Sequence, residues 1–100
     1  MEPRLLTRDE FREIEDEALF LISIDSRKAN EGRLRRFENR VSFLSRDLPG
    51  GKGYIVGELA SYVRQACGRV RDKQHWSEAV LSSIHKVKNF CVAKDSKGAS

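Results

Sequence analysis

The chain has 100 residues, 39% of them hydrophobic and 34% charged, which is typical of a single soluble globular domain. Its longest unbroken apolar run, residues 18–22, is far shorter than the roughly 20 residues that cross a bilayer, so we expect no membrane-spanning segment and no secretory signal. The formal net charge of +4 is unevenly divided. Residues 1–25 hold eight acidic and three basic side chains, whereas residues 26–100 hold seven and sixteen.

The first predicted helix begins at a capping box. Residues 7–10 read Thr-Arg-Asp-Glu, so the threonine side chain can accept from the glutamate amide while the glutamate side chain accepts from the threonine amide. Leu6 and Phe11 can form the accompanying hydrophobic staple. Apolar residues then recur at intervals of three and four, which predicts a helix over residues 8–24. A strand over residues 19–24 is the alternative, because this segment is almost entirely apolar.

Three more helices are predicted by the same spacing of apolar residues. The segments are residues 33–48, 54–71 and 75–93. A polar break, a Pro-Gly-Gly-Lys-Gly turn and a short polar connection separate the four helices. Residues 1–100 are therefore expected to form one all-α domain, a compact antiparallel four-helix bundle. The small polar residues 95–100 are expected to form a flexible tail.

Opposite charges are arranged in two columns on the first two helices. The acidic column is Asp9, Glu13 and Glu17, and the basic column is Arg33, Arg36 and Arg40. Like charges at i,i+4 repel each other along a helix unless opposite charges lie beside them. Antiparallel packing of the two helices would bring the columns together, so we expect ion pairs between them.

No motif indicates a catalytic, cofactor or metal site, and we expect the protein not to be an enzyme. The Gly-Lys-Gly at residues 51–53 lacks the spacing and the Ser or Thr of a phosphate-binding loop. His75 and His85 are ten residues apart, and no cysteine–histidine motif of a zinc site includes them. Cys67 and Cys91 fall at positions typical of helix interiors, which predicts buried reduced thiols and a cytoplasmic location.

The chain has more large apolar side chains than the four regular apolar seams use. Those outside the seams include Leu19, Phe20, Ile22, Ile24, Phe43, Ile55, Tyr62, Leu81, Phe90 and Val92. A bundle helix buries a wide stripe, which accounts for several of them. The others either fill the far side of the core or form an exposed apolar patch, and such a patch usually marks a protein interface.

We therefore expect a small regulatory protein that binds another protein through an apolar helical face, as an anti-activator, adaptor or chaperone does, and that forms a homodimer. The predicted partner-binding residues are four apolar anchors and two charges at their rim. They are Phe20, Ile22, Phe43 and Tyr62, with Arg36 and Arg40.

The alternative function is nucleic-acid binding through the basic second half of the chain. The residues predicted to contact phosphates are Arg64, Arg69, Arg71, Lys86 and Lys88. No helix-turn-helix or zinc-finger signature accompanies them.

Overall fold

Four α-helices make up most of the chain in a computed structural model, which describes residues 4–93. They are α1 (Arg8–Ser23), α2 (Glu31–Ser45), α3 (Gly53–Ala66) and α4 (Lys73–Cys91), with a 3-10 turn (Lys28–Asn30) before α2. No strand occurs among the described residues. The all-α prediction is thus confirmed, and the alternative of a strand over residues 19–24 is wrong. The predicted tail at residues 95–100 lies outside the described residues.

The capping box predicted at the start of α1 is present. The Glu10 amide donates to Thr7 Oγ1 at 3.1 Å, and Glu10 Oε1 accepts from the Thr7 amide at 2.9 Å. Leu6 and Phe11, the two residues of the predicted staple, are both buried in the core. These contacts satisfy backbone groups that a helix N-terminus otherwise leaves without partners, and they fix the first residue of α1.

Consecutive helices run antiparallel. Glu17, near the end of α1, pairs with Arg33 at the start of α2, and Glu13, one turn earlier, pairs with Arg40 two turns later. Helices α2 and α3 are also antiparallel, because Arg64 near the end of α3 pairs with Glu31 and Glu38 of α2. For α3 and α4, the contacts that show the reversal are Lys86 with Glu58 and Cys91 with Lys52. Two ion pairs therefore join the acidic column of α1 to the basic column of α2, as expected, and each uses one residue of either column.

The core is built from the predicted apolar seams. Among its largest fully buried side chains are Ile14, Leu34, Leu59, Val80 and Val87. The α3–α4 pair forms the most extensive packing in the bundle. Trp76, in the first turn of α4, is only partly buried against this core. Within residues 4–93, no helix is both long and apolar enough to cross a membrane.

The end of α3 differs from the prediction. The helix ends at Ala66 instead of residue 71, because Gly68 has a left-handed φ of 68° that a helix cannot contain. A Cβ atom on Gly68 would lie 2.2 Å from the backbone nitrogen of Arg27, so this close approach of two loops requires glycine. Val70, which the prediction of a helix over residues 54–71 included, is 90% exposed in the connection that follows.

The second helix is shifted toward its N-terminus relative to the prediction. It begins at Glu31 and ends at Ser45, whereas the spacing of apolar residues predicted residues 33–48. Leu48 is nevertheless buried, because the chain turns back after α2 and the Leu48 amide donates to the Ser45 carbonyl at 3.2 Å. The spacing of apolar residues therefore predicted correctly that Leu48 is buried, but it predicted the wrong last residue for α2.

The two described ends of the chain lie side by side. Leu6 and Val92 form an isolated parallel β-bridge. The Leu6 amide donates to the Cys91 carbonyl at 2.7 Å, and the Ala93 amide donates to the Leu6 carbonyl at 2.8 Å. This bridge joins the segment before α1 to the end of α4.

Candidate functional site

A groove lies on the surface between α1 and α2. Its volume is about 350 Å³, and we call it the α1–α2 groove; it is lined by Glu13, Ile14, Glu17, Arg33, Arg36, Phe37 and Arg40. Ile14 and Phe37 belong to the hydrophobic core, with exposures of 1% and 3%. The walls are therefore formed mainly by the stems and charged ends of long side chains, which can present both apolar and polar surface.

At one end of the groove, an exposed phenylalanine lies beneath a paired arginine. The Arg33 guanidinium stands 3.9 Å from the centre of the Phe20 ring and donates two hydrogen bonds to Glu17, one of them 3.0 Å long. The hydrogen bonding to Glu17 raises the pKa of Arg33. Phe20 itself is 39% exposed.

A similar arrangement stands at the other end of the groove. Arg40 donates to the two carboxylate oxygens of Glu13 at 2.7 and 3.2 Å, and its guanidinium lies 5.8 Å from the centre of the Phe43 ring. Phe43 is 58% exposed. Each end of the groove thus presents an aromatic ring, a guanidinium and a carboxylate, and the bidentate ion pairs hold both guanidiniums in place.

Arg36 lies between the two ends and has no acidic partner. It is exposed on α2, one turn from Arg33 and one turn from Arg40, and it makes no ion pair or hydrogen bond with any residue from 4 to 93 in the structure. Since the groove is lined by three arginines and two glutamates, it has one positive charge in excess. That excess is located at Arg36.

Four of the six predicted partner-binding residues lie along this one face, namely Phe20, Phe43, Arg36 and Arg40. The expectation that Ile22 is exposed is wrong, because it is 9% exposed and belongs to the core. It follows Ala18 by four residues, so the wide buried stripe of a bundle helix includes it. Tyr62 lies on α3 and packs partly buried against the core, 6.1 Å from Trp76 between ring centres.

The residues predicted to bind nucleic acid lie on α3, in the connection that follows it and on α4. Arg64 reaches across to α2, where it donates to Glu31 at 2.9 Å and to Glu38 at 2.6 and 2.8 Å. These hydrogen bonds raise the pKa of Arg64 above its usual value, with Glu38 the larger contributor. The positive charge of Arg64 is therefore already paired with two carboxylates of α2.

The other four predicted nucleic-acid residues are divided between the two ends of α4. Arg69 and Arg71 lie before its start, where Arg69 donates to the Gln65 carbonyl at 2.7 Å and its guanidinium lies 5.5 Å from the centre of the Trp76 ring. Lys86 and Lys88 lie in its second half. Lys86 stands 3.9 Å from a carboxylate oxygen on α3.

Sequence reasoning did not identify Arg33, Glu13 and Glu17 as parts of a single groove with the two phenylalanines. The spacing that relates them is visible, because Phe20 follows Glu17 by three residues and Phe43 follows Arg40 by three. Residues three apart share a helix face, so this pattern could have indicated the groove. Two further exposed apolar residues, Tyr54 and Val70, carried no such signal.

The described residues contain no group of three potential metal ligands among histidine, cysteine, aspartate and glutamate. Cys67 and Cys91 are free and buried, as predicted, and burial raises the pKa of both thiols, which reduces their reactivity. Comparisons with protein-family models, with curated proteins and with solved structures gave no match for this chain.

Proposed function

We propose that this chain is a non-enzymatic regulatory or adaptor protein that binds another protein through the α1–α2 groove. The observation that supports this function is that two exposed rings, Phe20 and Phe43, lie beside Arg33 and Arg40 at the two ends of the groove. Between those two arginines lies Arg36, which has no acidic partner among residues 4–93. Aromatic residues and arginine are the side chains most enriched among those that dominate the binding energy of protein interfaces.

The groove is suited to binding because two of its three arginines are already held in place by ion pairs. The ion pairs Arg33–Glu17 and Arg40–Glu13 fix the two guanidiniums beside the phenylalanine rings, so little side-chain entropy remains to be lost when a partner docks. Covering the exposed part of each phenylalanine ring would contribute about 1 kcal/mol. These contributions support a regulatory interaction that is specific and reversible.

The test is capture of partners from the organism that carries the gene, with matched phenylalanine variants. Phe43→Asp places a charge at one end of the groove, and Phe90→Asp makes the same change on α4 at a residue of similar exposure, 54% against 58%. We expect both variants to fold. A partner of the groove is retained by the native protein and by Phe90→Asp and is lost with Phe43→Asp.

Two results would contradict the proposal. Partners that survive Phe43→Asp do not use the groove, and partners lost equally with Phe90→Asp recognise apolar surface in general. Capture that disappears after nuclease treatment would instead support nucleic-acid binding, and an electrophoretic shift that weakens steeply between low and moderate salt would strengthen that alternative.

Self-association is proposed as a separate property, supported by an apolar side chain outside the groove, Leu81, which is 51% exposed on α4. The groove itself is poorly suited to a symmetric dimer. If Phe20 of each copy met Phe43 of the other, the two Arg36 side chains would face each other, and like charges at an interface repel. Sedimentation velocity tests the proposed dimer. We expect the native protein to sediment as a dimer and Leu81→Asp to sediment as a monomer.

A further inference from the structure

We infer that the α1–α2 groove receives an amphipathic α-helix that places a carboxylate on Arg36. This inference rests on the proposed function and specifies the chemistry of the partner. Three features of the groove support it: its length, its charge and the positions of its apolar residues.

The length of the groove corresponds to three turns of helix. Arg33, which covers Phe20, and Phe43 are ten residues apart on α2, so the two ends of the groove are about 15 Å apart at 1.5 Å per residue. A helix lying between α1 and α2 presents residues three turns apart on one face at about the same distance. Two apolar side chains of that helix can therefore contact Phe20 and Phe43 together.

The charge of the groove selects an acidic helix. Glu13 and Glu17 are each occupied by a bidentate arginine, so neither carboxylate is available to a basic partner without breaking an ion pair. Of the three arginines that line the groove, only Arg36 has no carboxylate partner among residues 4–93. A carboxylate located midway between the two apolar contacts of the bound helix would reach Arg36 and could accept two parallel hydrogen bonds from its guanidinium.

The positive charge of Arg36 also favours an acidic helix over a second copy of this chain as the occupant of the groove. A symmetric pairing of two grooves brings Arg36 to Arg36, whereas a helix with a central glutamate brings opposite charges together. The structure therefore favours a different protein as the occupant of the groove.

The test uses two synthetic helical peptides that differ only in charge. Both carry leucines three turns apart; the acidic peptide has glutamates on the turns between them and the basic peptide has lysines. Affinities are measured by titration of the isotopically labelled full chain, followed by NMR, which also maps the residues in contact. We expect the acidic peptide to bind about fivefold more tightly at low salt, with shifts at Arg36 and Phe43, and the preference to shrink as salt rises.

Matched arginine variants separate the contribution of Arg36 from general charge. Arg36→Gln should abolish the preference for the acidic peptide, and Arg71→Gln, an exposed arginine outside the groove, should preserve it. Equal binding of both peptides in the groove would overturn the carboxylate contact while leaving the docking face intact. Binding of neither peptide, or a contact surface elsewhere, would overturn the helical occupant, and partner capture with Phe43→Asp would then decide the proposed function independently.

Discussion

Glu10 makes stability depend on pH through its contacts at the start of α1. Its carboxylate accepts from the Thr7 amide and from the Arg4 guanidinium, the latter at 2.9 and 2.7 Å. Chiefly because of the hydrogen bond from Arg4, the pKa of Glu10 is lowered from 4.5 to about 2. Such a change corresponds to at most about 3 kcal/mol, and because Arg4 is half exposed to screening solvent, we expect Glu10→Gln to cost about 1.5 kcal/mol near neutral pH.

The sign of the pH dependence follows from the lowered pKa. The carboxylate stabilises the fold fully above its unfolded pKa, and this contribution is lost as pH falls from about 5 toward 2. The difference in free energy of unfolding between the native protein and Glu10→Gln should therefore fall by more than half between pH ~7 and pH ~3. Glu31, whose pKa is also lowered, titrates in both proteins and cancels in the difference.

Urea denaturation followed by far-ultraviolet circular dichroism measures this difference at each pH. Arg4→Gln is the matched variant, since it removes the main cause of the lowered pKa and leaves the capping box in place. It should reproduce most of the loss at neutral pH. A difference between native protein and Glu10→Gln that is the same at both values of pH would refute the assigned role of the carboxylate charge.

Two other perturbations test packing and charge elsewhere. Gly68→Ala forces a side chain into left-handed backbone against another loop and should destabilise by at least about 2 kcal/mol in urea denaturation. Gly57→Ala, where a Cβ meets open space within a helix, should be neutral or stabilise by up to about 1 kcal/mol; equal effects of the two would refute the close approach. A double-mutant cycle with Arg64→Gln and Glu38→Gln should give a coupling of about 0.5–1 kcal/mol that decreases with salt, and zero coupling at low salt would contradict the ion pair.

Local patterns predicted the features that depend on neighbouring residues. The capping box, the seam residues and the facing charge columns all follow from spacing along one helix, and antiparallel packing then determines that Glu13 and Glu17 meet arginines of α2. These are short-range rules, so one sequence is enough to apply them. They predicted that the charge columns of α1 and α2 meet and named Phe20 and Phe43 as apolar anchors, but they did not predict a groove between the two helices.

Features that depend on distant segments could not be predicted in this way. The end of α3 is determined by the approach of Gly68 to Arg27 in the loop before α2, 41 residues earlier in the sequence. Arg64 was predicted to contact phosphates because it is one of several basic residues near a helix end. Its ion pairs with Glu31 and Glu38 could not be predicted from spacing along α3, because both glutamates belong to another helix. The two glutamates lie seven residues apart, on one face of α2, but this pattern identifies no partner until α3 is placed beside it.

The bridge between Leu6 and Val92 determines how the molecule responds to mechanical force. Because the two segments run parallel, tension applied at the two ends of residues 4–93 pulls them in opposite directions along their length. Both backbone hydrogen bonds of Leu6 then bear the load together in shear and must break together before any helix can be pulled away. We therefore expect the bundle to unfold under tension in a single abrupt step that begins with the breaking of this bridge.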